Sequence, residues 1–471
     1  MAEVIDELED RGSTVTRGDL IRRGTAAAFA VSMFGGLSDK ALGFYGPLRF
    51  AKRQLSGDLR IMTWAHFVPA YDQWLDNTYV KRWGEANDVE VKVDHINNAL
   101  LYSTGASEVA AQSGHDLFWF ISPPSTFQKQ AIPVNDLVQE VTKKVGPMTK
   151  VARKSTYNPK TKSFYGFPET YAPDPVQYRR SFLEQTGVSL NTWEDLRKGA
   201  PKLKAIGHPV GLGMSNEIDS NMLLTSLLYC YGGFIQNEAN RIVIGQGANR
   251  KGAIEALQVM RDIYRNGMSD EVFAWTAASN NQAFLAGRLS VALNAISIAR
   301  SAELQGNVPL SDDTWLASIP RGPAMRLGNE HVMGVFLIWK FAKNKEAAQK
   351  YVVDQQLNYR EHFVRSGYYN FPPWTGAIKG GFKTIRQMTA QDAHKPKGKY
   401  TILTTIAERY TTNPGHPGNT TPVMDEIYAT FLIPQMFAEV AQGKSTPAEA
   451  VSAFAKKAQS IYRKWKNQGL V

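Results

Sequence analysis

Apolar and polar positions along the chain change period in a regular way. From residue 59, the apolar run LRIMTW is followed by helix-spaced apolar residues in YDQWLDNTYVKRWGEAN and then by a second strand-like run, VEVKVDHI. A helical SEVAAQSG and a third strand, HDLFWFI, continue the alternation. Strands separated by helices connect through crossovers and pair in parallel. The pattern therefore predicts an α/β fold in which helices flank a mainly parallel sheet.

Two segments interrupt this alternation and mark crossings between two lobes. The proline-rich SFYGFPETYAPDPVQYRR precedes a new helix, TWEDLRKGAPKLKAIG, for which Thr192 is the predicted N-cap. The strand LSVALNA marks the second crossing. The 471 residues exceed the ~250–300 over which one core keeps growing. We therefore expect two lobes, each a mainly parallel sheet flanked by helices, joined by hinge crossovers. The predicted division is 57–173 plus 296–357 for the first lobe and 174–295 plus 358–471 for the second.

The N-terminal residues 1–56 are predicted to be an export signal and linker. Their apolar or small residues from Gly24 to Leu37 number fourteen, fewer than the ~20 that cross a membrane. Positive charge precedes this run, which is the order of a signal peptide. The string TRGDLIR resembles a twin-arginine signal but has Gly18 in place of the second arginine. We expect an exported protein, located in the periplasm or at the outer face of the cytoplasmic membrane.

Composition narrows the function classes further. The net charge is +11, but the basic residues are scattered through helical patterns, and no zinc spacing or nucleic-acid-binding motif accompanies them. Nucleic acid is therefore not an expected partner. The single cysteine, Cys230, lies in the apolar run MLLTSLLYCYGG and is predicted to be a core residue. The sequence contains no nucleophile elbow and no phosphate-binding loop, and no residues at metal-ligand spacing.

Several segments, in this order, resemble the solute-binding proteins of ABC importers, in particular the sugar-binding branch that includes maltodextrin-binding proteins. The resemblance rests on LRIMTW, GHDLFWF, TWEDLRKGAPKLKAIG, AFLAGRLSVALNA, KFAKNKEAAQKYV and the C-terminal TPVMDEIYATFLIPQMFAEVAQGKSTPAEAVSAFAKKAQ. It implies a periplasmic-binding-protein type II fold that closes on one solute between its lobes and delivers it to membrane permease subunits. It implies neither covalent chemistry nor a cofactor, and we expect a monomer.

Sugars and polyols present C–H patches beside hydroxyl groups, so a receptor needs flat rings for stacking and planar polar groups for paired hydrogen bonds. The chain places such residues near predicted strand ends, which face the ligand in open α/β sheets. In the first lobe and crossover the candidate ligand-binding residues are Trp64, His66, Trp119, Phe120, Ser122, Glu169 and Tyr171. In the rest of the chain they are Asn216, Glu217, Asp219, Trp275, Asn294, Asn329 and Trp374.

The resemblance supports part of this set and leaves the solute open. Family proteins hold sugar with acidic groups and tryptophans at comparable places, and Asn294 matches a family asparagine at the crossover. The sequence departs at Ser297, where maltodextrin binders carry a stacking tryptophan, and at Pro123, where they carry an aspartate. A carbohydrate or polyol is expected, but maltodextrin itself is not established.

Two alternatives remain at this point. Glu169, Glu217 and Asp219 would neutralise amines if the solute were a polyamine or another small cation. Glu217 and Asp219 would also supply the two carboxyl groups of a glycoside hydrolase, if their separation matched that mechanism.

Overall fold

The computed structural model describes residues 55–471. The predicted export signal and nearly all of its linker, residues 1–54, lie outside the described residues. The longer strands are β1 Asp58–Trp64, β2 Glu90–Ile96, β3 Leu117–Phe120, β6 Phe167–Ala172, β7 Val176–Arg179, β9 Val291–Leu293, β10 Thr314–Ala317 and β12 Val332–Ile338. Two-residue strands are β4 Tyr157–Asn158, β5 Ser163–Phe164, β8 Val210–Gly211, β11 Gly328–Asn329 and β13 Thr411–Thr412.

Helices fill most of the connections. The α-helices in the first half are α1 Pro69–Trp74, α2 Val80–Asn87, α3 Leu101–Ala111, α4 Asn135–Val145, α5 Lys150–Thr156, α6 Arg180–Thr186, α7 Trp193–Ala205, α8 Ile218–Cys230 and α9 Gly247–Gly267. They continue as α10 Ser279–Leu285, α11 Ser297–Leu304, α12 Val308–Asp313, α13 Lys345–Leu357, α14 Tyr359–Arg365, α15 Gly381–Ala390, α16 Ile402–Thr405, α17 Pro422–Ala429, α18 Leu432–Ala441 and α19 Pro447–Asn467. Short 3₁₀ or π turns occupy Leu75–Tyr79, Asn98–Leu100, Ser125–Phe127, Asp270–Phe273, Thr375–Ala377, Lys399–Thr401 and Ile406–Tyr410.

The strands form two principal sheets, which confirms the predicted α/β class. The first sheet has the order β2-β1-β3-β12-β6, with β2, β1 and β3 parallel as expected and β12 antiparallel to both its neighbours. The second has the order β10-β7-β9-β8, and only β8 and β9 pair in parallel. The expectation of a mainly parallel second sheet is therefore wrong, because the crossover strand β7 runs against both of its neighbours, β10 and β9.

Each sheet has its own apolar core, and we call the elements around them the first and second lobes. The first core includes Leu59, Phe118 and Val335, and the second includes Leu196, Leu227 and Met260. The second lobe also contains α17, α18 and α19, whose apolar faces pack on its helices. The predicted N-cap of α7 is confirmed: Thr192 and Asp195 form a reciprocal capping box.

The predicted division of the chain between the lobes needs two changes. The prediction places residues 358–407 in the second lobe, but Tyr359, Phe363, Ile385 and Leu403 are buried in the first core. Segment 298–319, which the prediction places in the first lobe, contributes buried residues to both cores, and β10 belongs to the second sheet. Whether a helix packs in the first or the second core depends on contacts that are distant in the sequence. The local periodicity of apolar residues does not encode those contacts.

The chain passes between the sheets where β6 leads to β7, where β9 leads to α11, and between β10 and β12. These three passages lie side by side, since β6 and β12 pair in the first sheet while β7, β9 and β10 pair in the second. They are the hinge segments of the two-lobed arrangement. Among residues 55–471, no helix has the length and apolar character needed to cross a membrane.

Candidate functional site

Two tryptophan rings stack at the carboxyl ends of β1 and β3. The rings of Trp64 and Trp119 are nearly parallel, with centroids 5.2 Å apart and planes 10° apart. Trp119 donates its indole N–H to Glu169 Oε2 at 3.2 Å. Gly334 on β12 leaves the space that this ring occupies, because a Cβ there would lie 2.7 Å from the indole. We call these two rings, together with His66 and Tyr369, the aromatic wall.

His66 and Tyr369 extend this wall towards the hinge. The Tyr369 ring centroid lies 5.0 Å from that of His66 and 6.2 Å from that of Trp64. The backbone N–H of Val68 donates to His66 Nδ1 at 2.8 Å, so Nε2 carries the proton that reaches Asn370 Oδ1 at 3.2 Å. Burial lowers the pKa of His66 to about 4, and the imidazole is therefore neutral.

Amide and carboxylate groups of the second lobe form a buried network beside the hinge. Asp219 Oδ2, in the first turn of α8, accepts from Asn280 Nδ2 at 2.7 Å and from Asn294 Nδ2 at 3.2 Å. Asn294 also donates to Asn281 Oδ1 at 2.6 Å, and Asn281 donates to Ser297 Oγ at 2.9 Å. The network draws on α8, α10, the end of β9 and the start of α11, so it couples the second lobe to a hinge segment.

His331 joins this network to the hinge between β6 and β7. Its Nδ1 lies 3.1 Å from Asp174 Oδ1, and its Nε2 lies 3.4 Å from Asp219 Oδ1. Burial alone would lower the pKa of His331, but the two carboxylates outweigh burial and raise it to about 9. The ring is an imidazolium held between two carboxylates. We call Asp174, Asp219, Asn280, Asn281, Asn294 and His331 the interlobe cluster.

Two buried polar atoms next to this cluster have no hydrogen-bond partner within residues 55–471. They are Asp174 Oδ2 and the hydroxyl of Tyr369. Asp219 Oδ1 has only the 3.4 Å contact with His331. Leaving a buried polar group unpaired costs about 1–3 kcal/mol, and folded proteins avoid it except where another role requires it. These atoms are therefore suited to hydrogen bonds with a molecule that enters between the wall and the cluster.

The structure brings some of the predicted site residues together. Trp64, His66 and Trp119 stand in the wall, and Asp219 and Asn294 stand in the cluster. Ser122 is buried just after β3, and Asn216 is exposed in the loop before α8.

Two of the predicted site residues, Glu169 and Glu217, have structural roles next to the site. Glu169 is buried beneath Trp119 and also accepts from Gln355 Nε2 at 3.0 Å; burial raises its pKa to about 8. Glu217 is the N-cap of α8 and accepts from the backbone N–H groups of Asp219 and Ser220 at 2.7 Å and 2.5 Å. Both carboxylates thus have their oxygens occupied.

Other predicted residues pack within the lobes, away from the wall and the cluster. The Phe120 ring contacts Phe118 and Phe127 on the opposite face of β3 from Trp119. The ring centroid of Trp374 lies 5.4 Å from that of Phe167, and the ring centroid of Tyr171 lies 5.9 Å from that of Phe371. Trp275 is buried in the second core. The amide nitrogen of Asn329 donates to the carbonyl of Glu330 and to the sulfur of Met222, whereas its Oδ1 is buried without a hydrogen-bond partner among the described residues.

Sequence reasoning missed Asp174, Asn280, Asn281, His331 and Tyr369. Asn280 and Asn281 lie in the segment FAWTAASNN, five and six residues after the predicted site residue Trp275. His331 lies in the loop GNEH, two residues after Asn329, which is a predicted site residue. A search for polar residues within two positions of each crossover would have found Asp174 and His331.

The placement of Trp374 gives a test that separates packing from ligand contact. Trp374 is fully buried, and its indole N–H donates to Thr142 Oγ1 at 3.0 Å. We expect Trp374→Phe to lower the free energy of unfolding by about 1–2 kcal/mol in urea denaturation, because it loses ring volume and this hydrogen bond. Solute affinity should stay unchanged, whereas Trp64→Phe should reduce it. Equal losses of affinity in the two variants would contradict this assignment.

Comparison with known proteins gives a consistent result. A family model described as "Bacterial extracellular solute-binding protein" matches residues 78–368. No curated protein sequence matches the chain.

Solved structures share the fold at low sequence identity. A sugar transporter protein from Arthrobacter chlorophenolicus with bound laminaribiose has a TM-score of 0.70 and 17% identity, covering 86% of this chain and 99% of its own. An ABC transporter solute-binding protein from Thermotoga lettingae bound with α-D-tagatose has a TM-score of 0.68 and 16% identity, covering 86% and 99%. One from Agrobacterium radiobacter in complex with ribitol has a TM-score of 0.66 and 15% identity, covering 87% and 100%.

Proposed function

The chain belongs to the family of bacterial extracellular solute-binding proteins, and from this premise we propose that it is the receptor of an ABC importer for a neutral sugar or polyol. The solute binds between the aromatic wall and the interlobe cluster, and the loaded receptor delivers it to membrane permease subunits. We further propose that residues 1–56 direct export, that the protein acts as a monomer, and that it catalyses no reaction.

The buried, unpaired oxygens of Asp174 and Tyr369 beside stacked tryptophan rings carry this proposal. A sugar or polyol offers hydroxyl groups to such oxygens and C–H faces to aromatic rings. The amides of Asn280 and Asn294 hold the Asp219 carboxylate in a fixed orientation, and Asn281 in turn orients Asn294. The carboxylate is therefore ordered before the solute arrives.

The existing partners of the acidic residues favour a neutral solute over a cation. The three acidic residues that would neutralise a polyamine are not free: Glu169 bonds Trp119 and Gln355, Glu217 caps α8, and Asp219 faces the imidazolium of His331. An added ammonium group would meet His331 at close range. Because both oxygens of Glu217 accept backbone hydrogen bonds at the start of α8, Glu217 is poorly suited to form the carboxyl pair of a glycosidase with Asp219.

The hinge passages suggest how binding becomes a signal. Away from these passages, Asp425 of α17 accepts hydrogen bonds from the hydroxyl of Tyr102 and, at 2.6 Å, from the backbone N–H of Thr126. These bonds join the second lobe to the first. We propose that they belong to a closed form that solute binding favours and that the permease recognises.

Calorimetric titration with a ligand panel tests the function. The panel comprises laminaribiose, maltose, tagatose, mannitol and ribitol, with putrescine and spermidine as cations. We expect at least one sugar or polyol to bind, with an affinity that does not change between about 0.1 M and about 1 M salt, where the Debye length falls from about 10 Å to about 3 Å. If only a polyamine bound, and more weakly at high salt, the proposal of a neutral solute would be wrong.

A further inference from the structure

We propose that His95 is a positioning residue that, with Asp72 and Asp76, fixes the loop carrying Trp64 and His66 against the solute. We call these three side chains the loop clamp. The proposal rests on the proposed function in one respect only: the ligand-facing role of the aromatic wall. The clamp itself is a claim about how that wall is held.

The clamp contacts the loop from behind at two backbone atoms. His95, at the end of β2, donates from Nδ1 to the carbonyl oxygen of Trp64 at 3.1 Å. Asp72 Oδ2, on α1, accepts from the backbone N–H of His66 at 2.8 Å. Between these two contacts, the N–H of Ala65 donates to the carbonyl of Ile96 at 2.8 Å. Every backbone step from Trp64 to His66 is therefore tied to β2 or α1.

The clamp residues also hold one another. His95 Nε2 lies 3.0 Å from Asp76 Oδ1 and 3.1 Å from Oδ2, and His95 Nδ1 lies 3.7 Å from Asp72 Oδ2. Both ring nitrogens of His95 thus face acceptors, as an imidazolium requires. Burial lowers the pKa of His95, but Asp76 and Asp72 outweigh burial and raise it to about 9. Burial raises the pKa of Asp72 to about 7, so the charge-assisted hydrogen bond of the imidazolium is the one to Asp76, and it is stronger than a bond between neutral groups would be.

This arrangement matters because a stacking site depends on the position of its rings. Trp64 stacks on Trp119 at the end of two adjacent strands, and the His95 side chain contacts the Trp64 carbonyl at that end. Removing the clamp leaves that carbonyl and the His66 N–H to find new partners. The Trp64 ring then loses its fixed angle to Trp119, and a pre-organised binding surface becomes a variable one.

Two neutral replacements of His95 distinguish positioning from general stability. In His95→Asn the side-chain amide lies near the Nδ1 position and keeps a donor for the Trp64 carbonyl. In His95→Gln the amide reaches towards the Nε2 position and keeps the contact with Asp76 instead. Both remove the charge. A purely structural role predicts similar behaviour of the two variants, whereas positioning predicts that only the asparagine retains the wild-type wall.

The first readout needs no ligand: the near-ultraviolet circular dichroism of the stacked tryptophans, identified by its loss in Trp64→Phe. We expect His95→Asn to keep this signal and His95→Gln to lose it. The second readout is calorimetric affinity for laminaribiose and for ribitol, which we expect to fall about tenfold in His95→Gln, equivalent to about 1.4 kcal/mol, and less in His95→Asn. If neither compound bound the wild-type protein, that ligand assignment would fail, and the dichroism would still decide the clamp.

His115 provides a matched control. It is also a partly buried histidine between two carboxylates, with Nε2 2.9 Å from Asp94 and Nδ1 bonded to Glu108, but it precedes β3 at the opposite end of the strand from the wall. His115→Asn should leave the tryptophan signal and the affinity unchanged. Equal changes in His95→Asn and His95→Gln, or a comparable change in His115→Asn, would overturn the proposal.

A second pair of variants covers the case in which the His95 variants fail to fold. Asp72→Asn keeps an oxygen that accepts from the His66 N–H, whereas Asp72→Ala removes it. We expect the alanine variant to alter the tryptophan signal and the asparagine variant to preserve most of it. An unchanged signal in Asp72→Ala would also overturn the clamp.

Discussion

Replacing Asp219 by alanine is expected to reduce solute affinity by at least about 30-fold, or about 2 kcal/mol. Asp219 holds the amides of Asn280 and Asn294 and stands 3.4 Å from the imidazolium of His331. Its loss removes a direct acceptor for a solute hydroxyl and releases both amides. It also leaves the buried His331 with one carboxylate in place of two. Calorimetric titration with the best-binding sugar or polyol of the wild-type protein measures the change.

Two comparisons make this result interpretable. Asp219→Asn keeps one acceptor oxygen but loses the charge opposite His331, so we expect a smaller loss of affinity than in the alanine variant. Asp312→Asn changes an exposed aspartate of the second lobe and should bind as the wild type does. Wild-type affinity in a folded Asp219→Ala protein, with folding verified by circular dichroism, would remove the interlobe cluster from the site.

The sequence predicted an element correctly where the spacing of its apolar residues and its capping residue indicate the same structure. The strand-helix-strand opening and the N-cap at Thr192 follow from spacing alone, and both are present. The placement of α14 to α16 in the first lobe did not follow. Those helices reach the first core because of contacts across hundreds of residues, such as the hydrogen bond from Trp74 to Glu361 at 3.2 Å.

The aromatic candidates show a second limit. Side chains alternate across a strand, so Trp119 and Phe120 cannot both face the solute. Because β3 is buried on both faces, its sequence LFWF gives no polar residue to mark the ligand side. The structure distinguishes them through partners on other elements: Glu169 for Trp119, and Phe127 for Phe120. For Trp374, likewise, only the distant Thr142 reveals a packing role.

A buried ion network ties the hinge helix α11 to the first lobe. Arg300 contacts Glu303 Oε2 and Asp392 Oδ2, both at 2.8 Å, and its Nε donates to the carbonyl of Gly367 at 2.9 Å. Lys399 lies 2.6 Å from Glu303 Oε1. Although burial opposes it, hydrogen bonding from His394 and the charge of Arg300 hold the pKa of Asp392 below its ordinary value.

This network also includes the three residues of the described chain that come closest to a metal-ligand set, Glu303, Asp392 and His394. Arg300 and Lys399 already neutralise the two carboxylates, and the guanidinium lies at the position that a cation would need. An added divalent ion would meet two buried positive charges. The arrangement is therefore explained as a structural link between α11 and the first lobe.

Breaking this network is expected to have the largest effect on stability. Arg300→Met should lower the free energy of unfolding by about 3–5 kcal/mol, because it leaves Glu303 and Asp392 buried with fewer partners, and uncompensated buried charge is costly. The side chain of Arg300 is only 7% exposed. Arg288 is the matched control: its ion pair with Glu271 is about half exposed, and Arg288→Met should cost no more than about 1 kcal/mol. Urea denaturation followed by circular dichroism measures the free energy of unfolding of both variants. Similar losses of this free energy in the two variants would show that the buried network does not stabilise the link between the hinge helix and the first lobe.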